Sequence, residues 1–161
     1  MPDSVTAGSK YSLDTSVLVN SWWRYYPPDV FPSVWAQLDR LVRDGVVIAS
    51  EEVLFDLEKK DDEVLGWAKD RRSMFVPSGT DVQLKVREIL GSFKRLVDTR
   101  KNRSASDPFV IAVALCMKCK VATYEIPSNN QARPHIPDVC DAFGIKCVNL
   151  VELLREQGGI I

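Results

Sequence analysis

The sequence predicts an α/β fold, a short parallel sheet covered by helices on both faces. Three observations predict it. The chain has 161 residues, the size of one domain able to bury a core of its own. Short runs rich in β-branched residues recur along it, as strands require. Stretches of helical periodicity separate those runs, and strands joined through helices pair in parallel.

In chain order, residues 1–9 are small and polar and read as a flexible N-terminal tail, with residues 10–161 as a single domain. Tyr11-Ser12-Leu13-Asp14 reads as the first strand, and residues 33–43 carry the first clear helical pattern. The run Val46-Val47-Ile48-Ala49 is the second strand. Helical patterns follow at residues 51–59 and 62–72, where Asp61 and Asp62 start the second of the two by placing negative charge at its N-terminus. Residues 81–98 read as a long helix, and residues 108–117 as a helix opened by Asp107-Pro108, since proline suits the first helical position. Val121-Ala122-Thr123 is the third strand, residues 136–143 a helix, Lys146-Cys147-Val148-Asn149 the fourth strand and residues 151–156 the last helix.

Composition excludes several classes. An apolar fraction of 45% and a charged fraction of 27% are ordinary globular values, which argues against disorder, a coiled coil or a disulfide scaffold. The longest apolar run is nine residues, 109–117, far short of the roughly 20 that span a bilayer. The start of the chain has neither the basic nor the apolar segment of a signal peptide, so no membrane and a cytoplasmic location are expected, with reduced thiols. Cys116 and Cys119 form a C-x-x-C pair, with Cys140 and Cys147 beyond it. Four thiolates could hold zinc, but the six-residue gap of the second pair and the apolar surroundings also suit buried small hydrophobes. A redox C-x-x-C normally opens a helix, whereas this one ends an apolar helical run. The one histidine, His135, excludes a paired-histidine ribonuclease mechanism. No glycine-rich phosphate loop or nucleophile elbow is present.

In parallel sheets ligands gather at the carboxyl ends of the strands, and acidic residues stand there. Asp14 ends the first strand and Glu125 follows the third; Asp107 opens the helix leading to that strand. Asp56 lies on the helix after the second strand, with Glu52 one turn earlier on the same face. Four carboxylates thus come from separate segments toward one edge. Clustered acids without a cationic partner repel one another unless a cation sits among them, and oxygen donors suit Mg²⁺. Each acid has an ordinary reading as well. Asp14 and Asp107 fit helix caps, Asp56 and Glu52 fit solvated helix charges, and Glu125 fits a loop acid.

Four segments in this order, Leu13-Asp14-Thr15-Ser16, Val53-Leu54-Phe55-Asp56-Leu57, Ser106-Asp107-Pro108-Phe109-Val110-Ile111-Ala112 and Ala122-Thr123-Tyr124-Glu125, resemble the PIN-domain family and its VapC-like ribonuclease toxins. Ile136-Pro137-Asp138-Val139-Cys140, with Asn149-Leu150 after it, is similar to a PIN subfamily of otherwise unknown function. The resemblance runs from about Tyr11 to Glu156. It implies a three-layer α/β sandwich with a short central parallel sheet, and metal-dependent endoribonuclease activity using Mg²⁺ or Mn²⁺. Asp14, Asp107 and Glu125 match the family's first, third and fourth acids. Asp56 matches the second, where the family usually has Glu, and Glu52 is the substitute for it. Glu125 stands where many members have Asp, and Ser16 where they often have Asn. Thr15, Ser16 and Thr123 are the hydroxyls expected to support the acids. The resemblance also implies the toxin of a type II toxin–antitoxin pair, held by an antitoxin protein.

Charge is segregated along the chain although the total is −1. Residues 51–63 hold seven acids against two lysines, and residues 85–103 hold seven basic residues against two acids. The basic stretch leads into Asp107, and Arg100, Lys101 and Arg103 at its end are candidates for contacting RNA phosphates; the alternative is a solvated helix with a basic loop. Six of the fourteen aromatics lie in residues 22–35. They read either as a clip packing the first helices or as a contact surface, for a homodimer or an antitoxin, or for stacking bases. A catalytically weak PIN-like module acting through RNA or protein binding remains the alternative to the nuclease. A third reading is an α/β domain that binds a nucleotide at the sheet edge.

Overall fold

A computed structural model describes residues 10–96 and 105–159. Its centre is a five-stranded, wholly parallel sheet in the order β3-β2-β1-β4-β5. The strands are β1 (Tyr11–Leu13), β2 (Val47–Ser50), β3 (Phe75–Val76), β4 (Lys120–Ala122) and β5 (Cys147–Val148). Helices flank the sheet, giving the three-layer α/β sandwich the sequence predicts. They are α1 (Thr15–Asn20), α2 (Pro32–Arg43), α3 (Glu51–Lys60), α4 (Glu63–Lys69), α5 (Thr80–Ser92), α6 (Asp107–Met117), α7 (Ile136–Ala142) and α8 (Leu150–Glu156).

Burial explains the patterns. A parallel sheet covered on both faces wants apolar residues at successive positions, and every residue of β1 and β2 is buried. Ser12, a polar exception in β1, donates its hydroxyl to the Val110 carbonyl at 2.9 Å, which removes the cost of burying it. Helix α6 packs against β1, β2 and β4, with α5 and α7 also against it. It therefore has little solvent face, and Val110 through Ala114 are all buried. That accounts for the nine-residue apolar run.

The differences from expectation have local causes. Residues 15–25, where the sequence suggested only a cap at Asp14, form α1 and then a π-helical turn, Ser21–Tyr25, closed by the Tyr26 amide donating to the Ser21 carbonyl at 2.7 Å. Thr15, Val17 and Val19 are β-branched and weak helix formers; burial of Val17 and Leu18 overrides that preference. β3 is a two-residue edge strand behind a 3₁₀ turn, Arg72–Met74, too short to show alternation. Helix α5 stops at Ser92 rather than reaching residue 98. Gly91 and Ser92 disfavour helix, Phe93 leaves it with φ −131° and ψ 70°, and a 3₁₀ turn, Lys94–Leu96, follows. All four cysteines are free thiols, and the C-x-x-C pair closes α6 instead of opening a helix. Among the described residues no helix is long and apolar enough to cross a membrane.

Strand order positions the site. The chain moves from β1 through β2 to β3 on one side, then returns to the other side of β1 for β4 and β5. The reversal between β1 and β4 is the topological switch point at which open α/β sheets bind ligands. In the register, Leu13 is opposite Ala122, so the next residues, Asp14 and Thr123, are neighbours at the carboxyl edge.

Candidate functional site

Asp14 is 2% exposed and occupies the cap position of α1, yet its carboxylate caps nothing. Its amide donates to the Ala122 carbonyl at 2.9 Å, extending the ladder by one residue and holding the side chain between strands. Two hydroxyls donate to Oδ2, Ser16 at 2.6 Å and Thr123 at 2.9 Å. Burial, and then the charge of Glu125, push the Asp14 carboxyl up to about 6 against an ordinary value of 3.8; the Ser16 and Thr123 hydroxyls and the Thr15 amide oppose them. Glu125 therefore acts on Asp14 across the switch point, as the sequence positions imply. Thr123 also accepts from the Glu125 amide at 3.0 Å, and Glu125 Oε1 accepts from the Ile136 amide at 3.0 Å. The loop acid is thus tied to β4 through its backbone and to α7 through its carboxylate.

Asp107 is buried at 3% exposure. It is the first residue of α6, one position inside the cap, which is Ser106. Proline at the next position keeps the helix start intact without an amide that would need a partner. Asp56 is half-buried on α3 and accepts from the Thr15 hydroxyl at 3.0 Å. The Thr15 oxygen lies 3.5 Å from that of Ser106. One hydroxyl pair thereby links the start of α1, the acid of α3 and the start of α6. Glu52 sits on the same helix, where burial, then the charges of Glu51 and Asp56, raise its carboxyl above the ordinary range against Lys59.

Asp14, Glu125, Thr15, Ser16 and Thr123 thus form one connected group, Asp56 joins it through Thr15, and Asp107 directly follows Ser106, the residue whose hydroxyl lies near that of Thr15. Sequence reasoning missed Ser106 and Tyr124 as participants. Tyr124 donates its amide to the Ser16 hydroxyl at 3.3 Å, and its own hydroxyl lies 2.7 Å from Ser21. The position of Ser106 immediately before Asp-Pro was the available signal. Arg100, Lys101 and Arg103 lie outside the described residues, as does the tail at residues 1–9.

The donors around Asp14 are carboxylate and hydroxyl oxygens, the set that hard divalent cations take. Among the described residues no three His, Cys, Asp or Glu side chains are drawn close enough to form a metal cage. The chemistry of the donors fits such an ion, although the acids of the described residues do not form a closed cage.

The aromatic segment divides residue by residue. Trp22, Tyr26 and Trp35 form the clip. Trp22 meets Trp35 edge-on at 4.9 Å, Trp35 meets Trp67 at 5.4 Å, and Trp35 Nε1 donates to the Tyr26 carbonyl at 2.6 Å. Trp23, Tyr25, Val30 and Phe31 are exposed, at 50%, 46%, 64% and 41%. No curated protein matches this chain. Residues 11–160 match the family described as a domain of unknown function (DUF4411), and the chain belongs to that family.

Proposed function

We propose that this chain is a divalent-metal-dependent endoribonuclease. Asp14, Asp56, Asp107 and Glu125 are its catalytic, metal-holding acids, with Glu52 as the substitute for Asp56 and Mg²⁺ or Mn²⁺ as the ion. The observation that carries this reading is Asp14, an acid buried at the switch point with a second carboxylate acting on it. A buried carboxylate beside a second acid is costly, and a cation bound there relieves both burial and repulsion. When bound, the ion lowers the pKa of a water and offsets charge on the leaving oxygen of a phosphodiester. The protein's own groups orient the acids. Ser16 and Thr123 hold Asp14 Oδ2, Thr15 holds Asp56, and the Ile136 amide holds Glu125.

The likeness of the four acid-bearing segments to PIN-domain ribonucleases supports the same reading. We assign the protein to the cytoplasm, as the toxin of a type II pair. The exposed aromatics Trp23, Tyr25 and Phe31, with Val30, are the residues left to meet the antitoxin or a second copy of the chain. The absence of a closed three-ligand cage among the described residues favours one alternative, a catalytically weak module that acts through RNA or protein binding.

Cleavage of a structured RNA in Mn²⁺, with wild type and Asp14→Asn compared, decides between them. Wild type is expected to cut, and the variant and a sample in excess chelator to leave the RNA intact. Equal cleavage by variant and wild type would refute the reading.

A further inference from the structure

Beside the acidic edge lies a groove that touches one of the four acids, Glu125. Its inner part, a cavity of about 330 Å³, starts at Thr123 and Glu125 beyond the end of β4. Pro127, Pro137 and Cys147 belong both to its wall and to that of a larger cavity of about 770 Å³. The two cavities adjoin through these three residues, and each is within the size range of small-molecule sites.

The outer cavity has a distinctive lining. Asn129, Asn130 and Gln131 present three neutral amides in succession along one lip. The side chains of Asn129 and Gln131 make no hydrogen bond among the described residues; Asn130 Oδ1 accepts from the Ala132 amide at 2.9 Å, which leaves its nitrogen to donate elsewhere. The lip is fixed from beneath by Asp138. Its carboxylate accepts from the Ser128 amide and hydroxyl at 2.9 Å each, from the Asn129 amide at 3.0 Å and from the His135 amide at 2.8 Å. Asn129 is held at φ 55°, a left-handed conformation that asparagine tolerates better than most residues. Phe93 and Pro134 add apolar surface to the walls.

Charge indicates which part of a nucleic acid belongs here. Among the described residues Lys146 is the one cation in the outer lining, against Asp138 and Asp141. A phosphate run is therefore disfavoured, whereas a neutral group with a hydrogen-bonding edge and a flat face suits both lip and walls. Unpaired bases are read in this way, by amides on their edges and by stacking on their faces. In a duplex those edges are already paired.

Resting on the nuclease reading for the position of the phosphate, we propose that this groove binds an unpaired base of single-stranded RNA next to the scissile phosphate, read by Asn129, Asn130 and Gln131. The test is fluorescence anisotropy of the full chain in EDTA with a short labelled single-stranded RNA of mixed sequence, the same strand in a duplex, and free adenosine as competitor. Wild type is expected to bind the single strand and to prefer it to the duplex. Asn129→Gly, which keeps the left-handed backbone without strain, combined with Gln131→Ala is expected to weaken single-strand binding about tenfold, with Mn²⁺ affinity by calorimetry unchanged. Adenosine competing at the concentration of the RNA strand would mean a free-nucleoside site and overturn the proposal. Unchanged RNA affinity in the double variant, equal duplex binding, or no binding by wild type would each overturn it too. Failure of the nuclease reading is distinguishable. A wild type that binds single strands through these amides yet never cleaves in Mn²⁺ keeps the groove and loses the enzyme; cleavage with amide-independent binding does the reverse.

Discussion

Asp14 is held in the fold at a cost, because its carboxyl sits near 6 instead of 3.8, chiefly through burial and then through Glu125. The sign follows from linkage. A folded pKa above the unfolded one means that the native state keeps its proton longer, so stability is full below about pH 4 and falls as pH rises through 6, by at most about 3 kcal/mol. Asp14→Asn keeps an oxygen for the Ser16 and Thr123 hydroxyls and removes the charge. In EDTA the variant is therefore expected to be more stable than wild type at pH 7 and equal to it near pH 4, as urea melts at the two pH values will read. Mn²⁺ closes the gap. At a hundredfold excess over its Kd a ligand adds about 2.7 kcal/mol, so wild type gains melting temperature with Mn²⁺ and Asp14→Asn does not. A variant destabilised at pH 7 in EDTA would mean that the carboxylate is already compensated without an ion.

Thr15 joins three helices through one oxygen, at 3.0 Å from Asp56 on α3 and 3.5 Å from Ser106 before α6. Thr15→Val preserves shape and branching while deleting the donor. The expected loss of stability is about 1 kcal/mol, with Mn²⁺ affinity reduced because Asp56 loses its orienting contact. Calorimetry with unchanged Mn²⁺ affinity would mean that the Thr15 hydroxyl does not orient a metal-holding acid. A similar tie fixes the loop before α7. Burial raises the Asp138 carboxyl, but the amides of His135, Ser128 and Asn129 and the Ser128 hydroxyl outweigh it and bring it down to about 2. A depressed pKa contributes stability that is present above about pH 4 and lost as pH falls toward 2. Asp138→Ala is expected to flatten acid unfolding over that window, and hydrogen exchange to quicken in residues 126–135. These ties were invisible in sequence for a physical reason. Thr15 and Ser106 are 91 residues apart, and a hydroxyl carries no periodicity. Most helix lengths were readable from their apolar faces, but the helix read at residues 62–72 ends at Lys69, the short helix α1 gives no such face, and the end of α5 at Ser92 depends on two weak helix formers and the turn after them.

The parallel sheet organises everything above it. Asp14 and Glu125 could be paired from sequence because strands of a parallel sheet end on one edge, and the alternation of strands with helices announces such a sheet. The strand order could not be read, since β3 is two residues long and nothing local says that β4 returns beside β1. The split of the aromatic segment was equally hidden. Trp22 and Trp23 are adjacent in the π-helical turn, yet one packs on Trp35 while the other is half exposed, a split that sequence adjacency does not reveal. The segregated charge sets a prediction for the whole molecule. Neutralising Arg100, Lys101 and Arg103 together is expected to lower the slope of log affinity for RNA against log salt by about 2, at roughly 0.7 per phosphate contact on a single strand; an unchanged slope would exclude them from the interface. The final prediction concerns what holds the edge in place. Ile111 is fully buried on α6, between the sheet and the neighbouring helices, whereas Leu84 on α5 is 56% exposed. Ile111→Ala leaves a cavity that a helix packed on several sides cannot collapse, for a cost of about 2–5 kcal/mol. Leu84→Ala should stay within about 0.5 kcal/mol of wild type. Asp107 opens the same helix as Ile111, so loosening α6 should also weaken Mn²⁺ binding, and Leu84→Ala should not. Equal losses of stability in the two variants, measured by urea unfolding, would mean that α6 is not the buried centre of the sandwich.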